Sequence, residues 1–139
     1  MGVAVLGPAA LANAGRNRVF GRRKWSGADV NRLFCNVARI VIDPRYRGAG
    51  IAADFLAAVC ERAPTRYVEL VASMGAVSGF WRRAGFVDCG PTVGGQQARG
   101  ARGRHVRGAV AAQSLLSQMR YYLLDRGSSR IASTSGADG

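Results

Sequence analysis

Residues 33–73 contain two apolar runs of strand length separated by one amphipathic segment, and this pattern constrains the fold more than any other feature. The first run, LFCNVARIVID at 33–43, is almost uninterrupted, which is typical of a strand covered on both faces. Between Gly50 and Glu61, apolar residues recur at three- and four-residue intervals, as on one face of a helix. RYVELVAS at 66–73 predicts a second strand. Because a strand that returns after a crossover helix lies parallel to the first, the sequence predicts a βαβ unit.

Shorter patterns predict further elements on both sides of this unit. GVAVL at 2–6 indicates a strand that runs into a Gly-Pro turn. GAVSGFWRRAGF at 75–86 indicates a short helix that ends at Gly85. A further strand is expected to open at Phe86. Strands that alternate with helices in this way predict an α/β or α+β fold built on a mixed sheet.

The chain is strongly basic, with 20 Lys plus Arg against 8 Asp plus Glu and a net charge of +12. Residues 13–32 hold six basic side chains and one acid in a Gly-punctuated context, which predicts a long exposed loop. Residues 90–108 are rich in Gly and Arg without periodicity and are expected to be mobile. Such a charge favours polyanionic partners, either nucleic acid or phosphorylated cofactors, and composition does not choose between them.

An apolar stripe near the C-terminus predicts a final helix from about 106 to 126, at positions Val110, Leu115, Met119, Tyr122 and Leu123. A length of 139 residues fits one domain. The predicted organisation is a core over 1–89, a mobile Gly/Arg-rich loop over 90–108, a C-terminal helix over 109–126 and a disordered tail over 127–139.

Cysteine and histidine usage does not support a disulfide framework or a zinc site. Cys35, Cys60 and Cys89 are odd in number and lack CxxC spacing, and His105 is the only histidine. No window approaches the roughly 20 apolar residues of a transmembrane helix. The sequence therefore predicts a reduced, cytoplasmic protein with no metal site and no membrane contact.

The junction between the first long strand and its helix, DPRYRGAGIA at 43–52, has three properties that suit a phosphate group. Gly48 and Gly50 allow the backbone to approach an anion closely. The helix that starts here offers unpaired N–H groups and the positive end of its dipole. Arg47 adds a cation. Together these features suggest a pyrophosphate site, whereas a short glycine pattern alone more often indicates a tight turn that binds nothing.

The same residues resemble the GCN5-related N-acetyltransferase (GNAT) superfamily, whose acyl-CoA signature is Q/R-x-x-G-x-G/A between a strand and a helix. RGAGIA matches it with Arg47, Gly50 and Ala52. The triplet Arg45, Gly48 and Gly50 has the same spacing, but the predicted helix start selects the first register. FWRRAGF, over 80–86, is similar to the later F-Y-x-x-x-G-F element of the family. The resemblance covers about residues 33–87.

This resemblance implies an acyl-CoA-dependent N-acyltransferase with acetyl-CoA or another acyl-CoA as co-substrate. The acyl-CoA would lie in a notch where two parallel strands splay apart, and an amine acceptor, whose identity the sequence does not reveal, would enter between the strand ends near Ile42 and Ser73. The residues that the resemblance assigns to the acyl-CoA are Ile40, Val41, Ile42, Arg47, Gly48, Ala49, Gly50, Ile51 and Ala52.

The catalytic residues are less well defined than the acyl-CoA site. Many members of the family carry a tyrosine that protonates the CoA thiolate, but the matching residue here is Trp81, whose indole N–H donates a hydrogen bond and not a proton. Ser73 is a candidate that would act through water, with a turn role as the alternative. Glu69 is the candidate base, or else it pairs with an arginine. Asn36 and Arg39 interrupt the first long strand and either face the cleft or serve the structure.

The start of the family pattern is expected to be missing. The family usually begins with a strand and two helices that form one wall of the acceptor site, and this chain starts near the strands that follow. The prediction is a GNAT-like mixed sheet that lacks these elements. Either the chain is short at its N-terminus, or a partner or the C-terminal helix covers that side.

Two further hypotheses concern nucleic acid. VASMGAVSGFWRRAGF, over 71–86, is similar to phage Mom-type proteins, which modify adenine in DNA, and to acetyltransferase-like domains linked to ABC-type ATPases. The Arg-rich segments 16–32 and 99–107 could hold DNA or RNA phosphates while Phe20 or Trp25 stacks on a base. The alternatives are therefore Mom-like DNA modification or a non-catalytic nucleic-acid-binding module on the same scaffold. The oligomeric state is open.

Overall fold

A five-stranded mixed sheet organises the part of the chain that the structure, a computed structural model, describes: residues 2–73, 79–92 and 119–127. In chain order the elements are β1 (Gly2–Pro8), α1 (Ala14–Phe20), α2 (Gly27–Leu33), β2 (Phe34–Ile42), a 3₁₀ turn (Pro44–Tyr46), α3 (Ile51–Glu61), β3 (Tyr67–Ala72), α4 (Phe80–Arg83), β4 (Val87–Pro91) and β5 (Arg120–Asp125). The strands lie in the order β1-β2-β3-β5-β4.

The predicted βαβ unit is confirmed. β2 pairs in parallel with β3, and α3 connects the two strands. The other neighbouring strands, β1–β2, β3–β5 and β4–β5, are antiparallel, so the sheet is mixed and the fold is of the α+β kind. The expected coverage of β2 on both faces holds only for its first half. Phe34 and Cys35 are buried, whereas Arg39 and Val41 are exposed.

Two apolar clusters lie on opposite faces of the sheet because successive strand residues point to opposite sides. On one face, α3 and α4 pack against the sheet, and the cluster that they form with it includes Cys35, Ala53, Leu56, Val68, Leu70, Phe86 and Tyr122. On the other face, α1 and α2 pack against the sheet, and this cluster includes Val30, Phe34, Tyr67, Tyr121 and Leu123. The sheet is therefore the middle layer of three. We call these the α3 face and the α1 face.

The prediction of a long exposed loop over 13–32 is wrong, because this segment forms α1 and α2. Asn13 caps α1 by accepting hydrogen bonds from two backbone N–H groups, and Ser26 caps α2 by accepting one from Asp29. The glycines that suggested a loop lie at helix boundaries. Gly21, with φ 78°, ends α1, and Gly27 is the first residue of α2.

The expectation that a first strand and two helices are missing needs correction in part. β1 and two helices of seven residues each precede β2. α1 lies very close to the sheet, because a Cβ atom built on Gly15 would lie 2.3 Å from Cγ of Tyr121. Only glycine permits this approach, which brings the first turn of α1 onto the middle of the sheet.

The predicted C-terminal helix over 109–126 is wrong for residues 120–125, which form β5 between β3 and β4. Tyr121 and Leu123 pack on the α1 face, and Tyr122 packs on the α3 face. A run of four apolar residues is compatible with a helix and with a strand buried on both faces. This run forms a strand because it pairs with β3 on one side and β4 on the other. Residues 109–118 lie outside the described residues.

The remaining predictions concern short segments. The helix predicted over 75–86 is present as Phe80–Arg83, residues 74–78 lie outside the described residues, and Gly85 follows with φ 96°. The sheet includes β4 and β5, so the core is not confined to 1–89. The predicted mobile loop, from 93 onward, and the predicted tail, from 128 onward, lie outside the described residues. Among the helices described, none is both long and apolar enough to cross a membrane.

Candidate functional site

The β2 and β3 strands diverge after three paired positions. Their ladder runs from Phe34 opposite Tyr67 to Asn36 opposite Glu69. Beyond it, β2 follows β1 as far as Ile42, and β3 follows β5 to its end. The β1–β2 register shifts between Val5 and Leu6, which leaves an extra residue in β2. A bulge of this kind bends a strand. Two parallel strands therefore open into a notch in the middle of the sheet.

A cleft of about 750 Å³ lies beside this notch. This volume is within the range of small-molecule sites. The residues that line the cleft come from β2, the turn before α3, the first turn of α3, and α4: Arg39, Ile40, Val41, Ile42, Tyr46, Arg47, Gly48, Gly50, Ala52, Phe80, Trp81 and Arg83. Among these described residues, three are arginines and none is acidic.

The turn before α3 has the backbone geometry of an anion site. Gly48 and Gly50 have φ values of 86° and 77°, in the left-handed region that favours glycine. Gly50 is the N-cap of α3, and in the described part of the chain no side chain caps the first turn. A Cβ atom built on either glycine would meet no atom within 4 Å. The N–H groups at the start of this 11-residue helix are thus open to a ligand.

The arginines of the turn have separate roles. Arg45 forms a salt bridge of 2.9 Å with Asp43, and the hydrogen bonds from the side chain and backbone N–H of Arg45 hold the pKa of Asp43 below its usual value. Arg47 donates through Nε to the carbonyl oxygen of Ile42 at 3.0 Å, and it lines the cleft. Asp43 also caps the 3₁₀ turn by accepting a hydrogen bond from the backbone N–H of Arg45.

Aromatic side chains form the wall opposite the turn. Phe80 and Trp81 both line the cleft, and their ring centroids are 3.9 Å apart. Behind them, the ring of the buried Tyr122 lies 6.3 Å from that of Trp81. Both side chains are half-buried, because they also pack against the cluster of the α3 face. Arg82 and Arg83 of the same short helix point outward, and Arg83 lines the cleft whereas Arg82 bonds to Asp88.

Glu69 lies in a buried network on the α1 face. Its carboxylate accepts hydrogen bonds from Arg16 Nη2 at 2.5 Å and Nε at 3.2 Å, and from the Tyr121 hydroxyl at 2.8 Å. Asn13 Nδ2 approaches the same carboxylate at 3.5 Å. Burial, followed by the charge of Glu69, raises the pKa of Tyr121. The alternative that Glu69 pairs with an arginine is the arrangement found, and Glu69 is not among the residues that line the cleft.

The other two candidate catalytic residues are not brought to the cleft wall. Asn36 is half-buried and occupies the last paired position of β2, opposite Glu69. Ser73 is exposed at the end of β3. The structure thus places Asn36 beside Glu69 and leaves Ser73 apart from both. The catalytic roles of Asn36 and Ser73 remain predictions.

The buried thiols are poor nucleophiles. Cys35 and Cys60 belong to the same apolar cluster on the α3 face. Burial raises the pKa of Cys60 to about 12, and burial also raises the pKa of Cys35. A thiol with such a pKa carries almost no thiolate at neutral pH. These two side chains are part of the packed core.

In segment 16–32, which the sequence predicts to bind nucleic acid, Arg22, Arg23, Lys24 and Arg32 are exposed, whereas the two aromatic residues and Arg16 pack into the fold. Phe20 and Trp25 pack edge to face, with ring centroids 5.9 Å apart, on the α1 face beside Phe34. Arg16 is buried, and Arg18 donates to backbone carbonyls of β4. Neither aromatic ring is therefore presented for stacking on a base. The second segment, 99–107, lies outside the described residues.

Most of the residues assigned to the acyl-CoA by resemblance line the cleft, and the two that do not are Ala49 and Ile51. The sequence interpretation did not assign Tyr46 or Arg83 to the site, and it left Arg39 open. A motif identifies the backbone of a turn, but it does not identify side chains that reach the same space from another helix or strand. For Arg83, the signal in the sequence was its position within FWRRAGF, the segment that is similar to a family element.

Comparison with known proteins gives one result at the family level. The model of the family described as acetyltransferase (GNAT) domain matches residues 26–100, which is more than half of the chain. Neither the curated proteins nor the solved structures contain a match.

Proposed function

The chain belongs to the acetyltransferase (GNAT) domain family, and from this premise we propose that it transfers an acyl group from an acyl-CoA to an amine in the cleft between β2 and β3. The family in general indicates an acyl-CoA-dependent N-acyltransferase. The observation that carries the proposal for this chain is the combination of an uncapped α3 start with a notch in the sheet.

The residues of the cleft suit an acyl-CoA. The free N–H groups at the start of α3 and the guanidinium of Arg47 match a pyrophosphate. Past the notch, β2 has no ladder partner in β3, so the backbone of residues 40–42 can pair with an extended amide-bearing arm. Gly48 and Gly50 leave open space at the turn. Each part of the site thus complements a different part of the same molecule.

The chain contributes positioning and electrostatics to the reaction. When bound, an acyl-CoA supplies a thioester carbonyl that an amine can attack. The backbone N–H groups of the splayed part of β2 can hold that carbonyl in place. Three arginines line the cleft, and like charge nearby disfavours an ammonium, so they favour an acceptor that approaches as the neutral amine. Trp81 stands where the family commonly has a tyrosine, and its indole N–H can donate a hydrogen bond but not a proton.

Direct binding and turnover test this proposal. Isothermal titration of the full chain with acetyl-CoA should show saturable binding near one site per chain. Release of free CoA, followed with a thiol reagent, should depend on an added amine. Folded protein that neither binds nor turns over acetyl-CoA would contradict the proposal.

Arg83 is expected to recognise the 3′-phosphate of CoA. We predict that Arg83→Ala weakens CoA binding about tenfold, since a charge-assisted hydrogen bond to a phosphate is worth on the order of 1.4 kcal/mol or more. Dephospho-CoA, which lacks that phosphate, should bind wild type and variant equally well. Isothermal titration of the two proteins with both ligands measures the difference.

The neighbouring Arg82 provides a matched control. It lies in the same helix and is similarly exposed, but it bonds to Asp88 and does not line the cleft. Arg82→Ala should leave the affinity for both ligands unchanged. Equal losses for CoA and dephospho-CoA in Arg83→Ala would show that Arg83 does not read the 3′-phosphate.

A further inference from the structure

An exposed apolar patch lies on the α1 face of β1 and β2, beside the notch. Val3 pairs with Val41, and Val5 pairs with Arg39. Side chains of directly paired residues point to the same face, and residues two apart in a strand share a face. Val3, Val5 and Val41 are 63%, 45% and 42% exposed. The helices of the α1 face therefore leave these four side chains uncovered. We call them the valine patch.

Arg39 is the only charged side chain in the sequence of these two strands, GVAVLGP and FCNVARIVI. It is exposed, and its side chain makes no hydrogen bond or ion pair with any residue that the structure describes. The register shift of β1 and β2 places it directly after the extra residue of β2. A guanidinium among valines is a site for a molecule with both an anionic and an apolar part.

The valine patch is continuous with the cleft. Arg39 and Val41 belong to the patch and also line the cleft. Ile40, between them in β2, packs instead against the cluster of the α3 face. β2 therefore contributes residues to both sides of the sheet at the notch, and the patch and the cleft share two of them.

The segment between β1 and α1 is held in place near the point where β2 and β3 diverge. Arg16 binds Glu69, which belongs to the last pair of the β2–β3 ladder. Arg16 also donates to the carbonyl oxygens of Ala10 and Leu11. These hydrogen bonds link the segment between β1 and α1, through Arg16, to the last paired position of β3. An acceptor that enters on the α1 face is thereby directed to the open part of β2.

We propose that the acceptor is an apolar α-amino acid, whose carboxylate binds Arg39 and whose side chain contacts Val3, Val5 and Val41. The inference rests on the proposed function. A planar guanidinium matches a carboxylate with two parallel hydrogen bonds, whereas the arginines around the cleft repel acceptors with a second positive charge. The α-amino group is the amine nearest to such a carboxylate, so the bound molecule presents its nitrogen to the notch.

The reaction on this acceptor balances without a further reagent. A bond forms between the amine nitrogen and the acyl carbon as the carbon–sulfur bond of the thioester breaks. The electron pair of that bond leaves on sulfur as CoA thiolate, and the proton of the amine passes to solvent. The products are an N-acyl amino acid and CoA.

The test compares three amines on the full chain with acetyl-CoA, by release of free thiol. L-Leucine and L-leucinamide share an amine and a side chain and differ in the carboxylate, and L-lysine adds a second cation. We expect kcat/KM for leucine to exceed that for either of the others at least about tenfold. In Arg39→Gln the preference of leucine over leucinamide should disappear. Val5→Thr, which lies outside the cleft lining, should lower the ratio of kcat/KM for leucine to kcat/KM for glycine.

Arg45→Gln is the matched control, since Arg45 is an exposed arginine near the cleft that pairs with Asp43 and does not line it. It should keep the preference for leucine. Equal rates for leucine and leucinamide, or a preference that persists in Arg39→Gln, would overturn the inference, and so would faster transfer to lysine. Acetyl-CoA binding without transfer to leucine also overturns it while the proposed cofactor site stands. Absence of acetyl-CoA binding contradicts the proposed function itself.

Discussion

Replacing Arg16 by methionine is expected to lower the free energy of unfolding by about 3–5 kcal/mol, because it leaves the carboxylate of Glu69 buried without its counter-ion. Arg16 is completely buried, and Glu69 is 1% exposed. The guanidinium of Arg16 also satisfies the carbonyl oxygens of Ala10 and Leu11. Native domains are stable by only about 5–15 kcal/mol, so the loss is a large share of the total. Urea unfolding followed by circular dichroism measures it.

A second substitution separates the charge from the packing. Glu69→Gln removes the negative charge and keeps an oxygen for the hydroxyl of Tyr121, so the double variant Arg16→Met with Glu69→Gln should recover at least half of the loss. Arg45→Met breaks an exposed pair and should change stability little. A loss below about 1 kcal/mol in Arg16→Met would show that the buried pair does not hold α1 to the sheet.

Gly50→Trp is expected to reduce the affinity for acetyl-CoA at least about 100-fold, which corresponds to roughly 2.7 kcal/mol. The open space at Gly50 is where we place the pyrophosphate, and an indole ring would fill it. The φ of 77° adds strain of about 1–2 kcal/mol for any L residue other than glycine. Isothermal titration measures the affinity, and thermal unfolding measures the strain.

Gly21→Trp controls for that strain. Gly21 has a φ of 78°, also has no atom within 4 Å of a built Cβ, and lies at the end of α1, outside the cleft lining. Gly21 also has a ψ of 168°, in a region that is nearly exclusive to glycine, whereas Gly50 is left-handed helical, so Gly21→Trp should lose at least as much stability as Gly50→Trp. Only Gly50→Trp should lose binding. If acetyl-CoA binds Gly50→Trp as tightly as it binds Gly21→Trp, the pyrophosphate does not lie at this turn.

The sequence predicts the centre of the fold well because the centre is built from local patterns. The run over 33–43, the stripe from Gly50 to Glu61 and the run over 66–73 each carry their own periodicity, and the crossover fixes their parallel pairing. The turn before α3 is predictable for a related reason. A positive φ and a free helix start require glycines at fixed positions.

The predictions that fail depend on contacts far apart in the chain. The YYLL run of β5 fits a helix until β3 and β4 pair on either side of it. Arg16 looks like one more surface cation, and its burial follows only from Glu69, 53 residues away. Phe20 and Trp25 look like exposed aromatics in a basic loop, whereas Asn13 and Ser26 are helix caps and place both rings in or beside helices.

The three-position ladder between β2 and β3 has a mechanical consequence. The sheet consists of two leaves, β1–β2 and β3–β5–β4, and within the described residues the direct β-ladder between the leaves spans residues 34–36 and 67–69. Elsewhere the leaves are held together by the side chains packed on the two faces, above all by α3 and by the Arg16–Glu69 pair. The width of the cleft is therefore set by the core, and substitutions that touch no ligand can change it.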